Sequence, residues 1–432
     1  MPKPLSYVAG CSLPYTGFAS IGTGAGCSVP YTGFASIGTG AGCSVAGCSV
    51  ARISLPSQKK TMSSPFSKSL LRWFDTEKRD LPWKETRDPY KIWISEIILQ
   101  QTRVAQGLPY YLRFISRFPD VIALANAPQD EVLKLWEGLG YYSRARNLHH
   151  TAQLIRDEYN GKFPDTYDEV LALKGIGAYT AAAIMSFAYG KAYPVLDGNV
   201  KRVVARYLGL HEPADLPATQ KTMMTWLNSV IPKNKADDFN QALLDLGATV
   251  CLPQNPLCNV CPVALHCVAQ KDELQGLLPV KSKVVKKKDR FFHYFLISHP
   301  AGQILIEQRN TKDIWQGLYQ FPMVETTADT SLKKTEIRAF LKKLGFSPEQ
   351  TALKSIERTE KPHILTHQSI YTQYYLINID KNILKISNEH IFFVDRGKLS
   401  NFAFPRLLHK VLENPALWEP GTNQSHKKRK SN

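Results

Sequence analysis

Four cysteines stand close together in this 432-residue chain, Cys251, Cys258, Cys261 and Cys267, with six, two and five residues between them. Thiols at such spacing, in a sequence without a secretory signal, point to a metal centre rather than to disulfides. Four thiolates satisfy a tetrahedral zinc ion and an iron–sulfur cluster equally, so spacing alone leaves both open. A second chemical candidate is Glu96, the lone carboxylate of the otherwise apolar and aromatic segment KIWISEIILQQT. Buried there, its carboxyl group would have a raised pKa and could hand a proton to a leaving group; on the outer face of an amphipathic helix it would be plain surface charge. A third is Asp197 in VLDGNVKRV, where Asp-Gly-Asn before a helical run also reads as a capping sequence.

These groups need a scaffold, and from Pro65 to about Ala269 it reads as helical. FSKSLLRWF, KIWISEIILQQTRVAQGLPYYLRFISRF, DEVLKLWEGL, RARNLHHTAQLIRDEY, TYDEVLAL and AYTAAAIMSFAYG all repeat apolar residues at three- and four-residue spacing. Within LKGIGAYTAAAI, Gly175 and Gly177 permit a tight turn, and free N–H groups at the next helix start could hold a phosphate. Taken alone, that GxG is an ordinary turn. Pro279 and the basic run KSKVVKKKDR mark a linker; beyond it come β-rich segments, a helix near 332–344 and the strand IYTQYYLINI. The expected fold is an all-α domain at 62–275, a linker at 276–290, a smaller α+β domain at 291–412 and a basic, disordered tail at 413–432.

Residues 1–61 differ in kind. PYTGFASIGTGAGCS occurs at 14–28 and again at 30–44, and nothing in it could build a core. A disordered leader, a targeting segment and translated repetitive DNA upstream of Met62 all remain open, the last being favoured; Cys11, Cys27, Cys43 and Cys48 are then incidental. The net charge of +17 suits a polyanionic partner. No apolar run approaches the roughly 20 residues of a bilayer span. The expectation is a soluble intracellular protein, cytoplasmic or nucleoid-associated if bacterial, with no membrane partner.

The cysteine spacing, LKGIGAYTAAAI and the following VLDGNVKRV together resemble the helix-hairpin-helix base-excision glycosylases over nearly all of residues 65–270. KIWISEIILQQT resembles the catalytic helix of their adenine-specific, MutY-type branch. The resemblance implies a 4Fe-4S cluster on the four cysteines, bracing a basic loop against the DNA backbone. It implies Asp197 as the carboxylate that stabilises positive charge on the sugar, Asn199 beside it positioning a water or the aspartate, and Glu96 as general acid and then base. Strand-cleaving relatives resembling endonuclease III carry a nucleophilic lysine where this chain has Tyr179. A phenol forms no imine, which implies a monofunctional glycosylase. Lys174 stands where these hairpins usually have proline. Gln100, Gln101 and Tyr141 would fill the gap left by the flipped base, with Leu139 as a wedge, while Arg144 and Arg146 would be phosphate contacts or surface charge. The implied partner is double-stranded DNA with an A:8-oxoguanine or A:G mispair, bound by a monomer.

Farther on, WQGLYQFP and RAFLKKLGF resemble a degenerate Nudix domain. Ala339, Lys342 and Lys343 occupy positions where a hydrolase needs glutamates for Mg²⁺, so no hard-cation site can form from them. Such a domain implies recognition of oxidised guanine. Relatives carry a Phe-Ser-His triplet for this; the corresponding residues here are Leu365, Thr366 and His367.

Overall fold

Short polar side chains start several of the helices. Ser64, Asp88, Asp120, Thr166 and Asp197 each accept a hydrogen bond from a first-turn N–H of the helix that follows. In this computed structural model residues 64–282, 287–380, 386 and 388–414 are described; the leader and most of the tail lie outside them. The helices are α1 (Pro65–Glu77), α2 (Pro89–Leu99), α3 (Val104–Arg117), α4 (Val121–Asn126), α5 (Gln129–Leu135), α6 (Ser143–Glu158), α7 (Tyr167–Ala172), α8 (Ala178–Phe187), α9 (Gly198–Leu208), α10 (Pro217–Val230), α11 (Ala236–Thr249) and α12 (Val268–Lys271). None of the described helices is long and apolar enough to cross a membrane.

The single helical segment expected through KIWISEIILQQTRVAQG is broken between α2 and α3, where Gln101 takes φ +57. The guanidinium of Arg144 stabilises that break. Its Nη1 donates to the carbonyls of Ile97 (2.5 Å), Ile98 (3.1 Å) and Gln100 (2.8 Å), the groups a helix end leaves unpaired. Arg144 is therefore a helix cap rather than a phosphate contact or a surface charge. A second buried ion cluster ties the segment after α1 to α11. The Asp245 side chain, 1% exposed, accepts from Arg79 Nε (2.8 Å) and Nη2 (2.6 Å), and from Lys84 Nζ (2.5 Å).

The second region is a mixed sheet. Its strands are β1 (Lys288–His299), β2 (Gln303–Gln308), β3 (Tyr319–Gln320), β4 (Met323–Thr326), β5 (Thr351–Arg358), β6 (His363–Ile364), β7 (Gln368–Ile379) and β8 (Ile391–Asp395), joined by helices α13 (Lys334–Lys343) and α14 (Arg406–Leu412). β1 runs parallel to β7, which pairs antiparallel with β5 and β6; on its other side β1 meets β4 and β2, and β2 continues to β3 and β8. The first strand starts at Lys288, earlier than residue 291, because Lys288, Asp289 and Arg290 already pair with Gln368, Ser369 and Ile370. Period-two alternation divides β1 between two cores. Phe295 and Ile297 pack with Ile337 and Leu341 of α13, whereas Phe292, Tyr294 and Leu296 join the cluster that continues into the helical region.

That continuity makes the two regions neighbours through a packed interface. Asp130 accepts from Tyr319 Oη (2.6 Å) and Gln308 Nε2 (3.2 Å), and Lys134 Nζ donates to the Phe402 carbonyl (2.9 Å). Arg146, another expected phosphate ligand or surface charge, instead donates to the Gln316 carbonyl (2.6 Å). Gly317, at φ +83, leaves room for Leu133, whose Cδ1 lies 3.0 Å from the place a Cβ would take.

Asp245→Asn is expected to destabilise the protein by about 3–5 kcal/mol in urea unfolding, because Lys84 would keep a buried charge without its counter-ion. Adding Lys84→Met should recover part of that loss.

Candidate active site and metal centre

Glu96 lies on α2 with only 7% of its surface exposed, among Trp93, Ile94, Ile97 and Ile98. Burial pushes its pKa up to about 7; the Tyr179 hydroxyl, donating to the carboxylate, opposes that shift, and the negative charge of Asp197 adds to it. Tyr179, in the first turn of α8, is in turn held well above the ordinary phenol range by burial and by the same two carboxylates. The fold thus gathers residues from three helices, α2, α8 and the start of α9, into one electrostatically coupled group.

Asp197 does two jobs in this geometry. It is the N-cap of α9, accepting from Val200 N–H at 2.7 Å, and its other oxygen accepts from Asn199 Nδ2 at 3.0 Å. Burial raises its pKa from the ordinary carboxylate value, against the pull of those donors and of Arg202. The chain of contacts runs on: Arg202 Nη2 donates to Asn199 Oδ1 (2.9 Å) and to the Gly247 carbonyl (2.6 Å), and Arg202 Nε donates to the Cys251 carbonyl (2.7 Å). Four residues on, Arg206 reaches Cys251 Sγ (3.3 Å) and the carbonyls of Leu252 (2.7 Å), Pro253 (3.2 Å) and Leu278 (2.8 Å). Gly247 is required there, since a Cβ would stand 2.7 Å from Asn199 Cβ. The reading of the sequence missed Arg202 and Arg206. Two arginines one turn apart, interleaved with Val200, Val203 and Val204, were the available signal.

Cys251, Cys258, Cys261 and Cys267 line one pocket together with Arg206, Tyr207, Leu246 and Val263. All four are unpaired thiols. Burial pushes the Cys261 thiol up to about 11, and the other three cysteines push the same way. Four thiolates can share this apolar pocket only with positive charge among them, which is what a metal group supplies. The thiols therefore fit such a group. Among the described residues no three His, Cys, Asp or Glu side chains come together as the ligands of a single ion would. The loop carries no Lys or Arg between Cys251 and Cys267, so it is not the basic loop that was expected. Leu257, Val260 and Leu265 are exposed there instead.

The hairpin precedes α8. Gly175, at φ +83, could not carry a side chain, because a Cβ would lie 2.8 Å from Asn147 Cβ, and Thr151 Oγ1 holds the Lys174 carbonyl at 2.8 Å. Gly177 is the N-cap of α8, and the space its Cβ would take is open. Gln100 turns inward, donating to Thr180 Oγ1 at 3.3 Å, while Gln101 is exposed. Tyr141 is exposed at φ +48. Leu139, by contrast, is 7% exposed within the helical core, and a wedge role would require it to leave that packing. Leu365, Thr366 and His367 form the turn between β6 and β7, closed by Leu365 N–H donating to the Gln368 carbonyl at 2.8 Å. Thr366 Oγ1 meets Tyr141 Oη at 2.5 Å, so this turn and the 138–142 loop touch.

Residues 94–229 match the family model of the HhH-GPD superfamily of base excision DNA repair proteins, and residues 293–414 match that of the NUDIX domain. The adenine DNA glycosylase of Buchnera aphidicola subsp. Baizongia pistaciae is 36% identical over 333 residues, 76% of this chain and 90% of that protein. The human adenine DNA glycosylase is 32% identical over 365 residues, 72% of this chain and 66% of its own. That of Mycolicibacterium smegmatis is 43% identical over 199 residues, 46% of this chain and 67% of its own. With a helical half and a sheet half each matching its model, and relatives aligned across both, the chain belongs to the adenine DNA glycosylase family of base-excision repair enzymes.

Proposed function

We propose that this enzyme hydrolyses the N-glycosidic bond of adenine paired with 8-oxoguanine or guanine in duplex DNA and stops at the abasic site. The observation that carries this is the buried Glu96 carboxyl, raised to about 7 and hydrogen-bonded by Tyr179 beside a second carboxylate. Two carboxyl groups with different surroundings can divide acid and charge-stabilising work between them. Glu96, protonated, donates to the departing adenine and so makes it a better leaving group. Asp197, with its oxygens fixed by Val200 N–H and Asn199 Nδ2, faces the positive charge that develops on the sugar. The Tyr179 hydroxyl lends its dipole to the same site. Glu96, now ionised, takes the proton of the attacking water. No lysine stands at position 179 to capture the sugar covalently, which supports a product left as an abasic site.

DNA would be held by the backbone N–H groups at the start of α8, where Gly177 leaves space for a phosphate to approach. Gln101 and Tyr141 would enter the duplex as the adenine leaves it, and the 365–367 turn would read the opposing 8-oxoguanine. Cys251, Cys258, Cys261 and Cys267 would hold a 4Fe-4S cluster, with Arg206 donating to one of its thiolates. Such a cluster's contribution would be structural, its iron binding the four thiolates and so fixing the loop. The enzyme is proposed to act on DNA as a monomer.

Duplexes with adenine opposite 8-oxoguanine or guanine test the reaction. Wild-type protein should nick them only after alkali, and Glu96→Gln should lower the excision rate at least about a hundredfold. Strand cleavage without alkali would remove the monofunctional reading, and undiminished activity would remove Glu96.

The acid form of Glu96 in the free enzyme is filled below about 7 and lost above it, so excision at DNA concentrations well below saturation should fall as pH rises through that value. A flat profile from about pH 6 to 9 would contradict the assignment.

Purified protein should be yellow-brown and carry about four irons per chain. A colourless, zinc-containing preparation would put a single ion in the cysteine pocket instead.

A further inference from the structure

Glu137 is the last residue before the 138–142 loop, and every charged or polar contact of its side chain bears on how that loop meets the sheet region. Its carboxylate accepts from Lys134 Nζ (2.5 Å) on its own side of the interface. Across the interface it accepts from Phe404 N–H (2.8 Å) and pairs with His409 Nε2 at 3.3 Å. Its backbone carbonyl accepts from Tyr110 Oη (2.8 Å). The next residue, Gly138, sits at φ +95 with its N–H donating to Tyr142 Oη (3.1 Å). A short, tightly held stretch of chain therefore leads directly from an interdomain ion cluster to Tyr141, which in turn touches Thr366.

Burial alone would raise the Glu137 carboxyl, yet His409, Lys134 and the Phe404 amide hold it below the ordinary range, and Glu137 raises the His409 imidazole. Leu408 and Val411, on either side of His409 in α14, are buried in the core shared by both regions. The C-terminal helix is thus fastened at the base of the loop, while the 365–367 turn touches its tip.

We propose that Glu137 and His409 are positioning residues, a strut through which the C-terminal domain sets the pose of Tyr141 and so the discrimination of 8-oxoguanine from guanine. This rests on the reading that the 365–367 turn recognises the oxidised base and that Tyr141 enters the duplex. Neither strut residue touches the reacting atoms. Removing either contact leaves chemistry on fully bound DNA intact and weakens the productive engagement of the preferred mispair.

Single-turnover excision over a range of enzyme concentrations tests this, with adenine opposite 8-oxoguanine and opposite guanine. Glu137→Gln and His409→Ala should keep the saturating rate within about twofold of wild type. They should raise the half-saturating concentration for the 8-oxoguanine duplex roughly tenfold and shrink its advantage over guanine. The double variant should be no worse than either single one, and His409→Lys, which puts a hydrogen-bond donor back beside Glu137, should recover most of the loss. Unchanged half-saturation and discrimination in both single variants would overturn the strut, as would an equal fall in saturating rate on both duplexes or a failure of His409→Lys to recover. Thr366→Ala separates the two readings. Wild-type protein that does not prefer 8-oxoguanine, or a Thr366→Ala variant that keeps the full preference, would remove the recognition reading itself. Loss of preference in Thr366→Ala alongside unaffected strut variants would remove only the strut.

Discussion

Helix α9 can pack as it does only because two guanidinium groups are buried with it and met by acceptors. Arg202 and Arg206 sit one turn apart on a face that is otherwise valine, and a buried cation without acceptors would cost several kcal/mol. Their acceptors are main-chain carbonyls at the end of α11, at the start of the cysteine loop and at Leu278, the Cys251 sulfur, and Asn199 beside Asp197. The cysteine loop and the Asp197 carboxylate are thereby held by one element. A shift of the loop would move the carbonyls that Arg202 meets, and Asn199 with them, so the conformation of the cysteine loop bears on the orientation of Asp197.

The same solution recurs elsewhere in the molecule. Arg144 closes the end of α2, and with it the register of the helix that carries Glu96. Asp245 binds Arg79 and Lys84, fastening the segment between α1 and α2 to α11. In the sheet region Arg290 is shared by Asp313 (2.7 Å) and Glu325 (2.6 Å), joining β1 to β4 and to the loop before β3. Apolar burial supplies the bulk of the packing. The buried ions specify which loop goes where, because each has a small set of geometries that satisfies it.

Much of this was legible in the chain. Three- and four-residue apolar spacing marked the helices that bury one stripe, while α2 and α8, buried nearly all round, were legible from apolar content; β1 and β7 were legible from their aromatic and β-branched composition. Glu96 stood out as a carboxylate where everything near it was apolar, and Asp197 as a cap. The break at Gln101 had one sequence signal, the polar run Gln100, Gln101, Thr102 and Arg103 between two apolar segments, but the Arg144 guanidinium that caps it lies far along the chain. Arg144 and Arg146 were read as surface or phosphate charges because arginine is usually exposed; their acceptors are carbonyls that only tertiary packing brings near. The gathering of the four thiols in one pocket was legible from spacing, and so was the absence of Lys and Arg from their loop, against the family pattern. Contacts between the two regions, Glu137 with His409 among them, leave no periodic trace at all.

The parallel pairing of β1 with β7 has a consequence for how the molecule is made. Lys288 and Gln368 are neighbours in the sheet but are separated in the chain by the whole of β2 to β6. As the chain is synthesised, the helical region and its cysteine loop are complete well before β1 can find its central partner, so one full edge of β1 waits unpaired. The basic run that leads to Lys287, and Lys288 at the start of β1 itself, put like charges at the mouth of that edge, and like charges there disfavour the pairing of two identical strands.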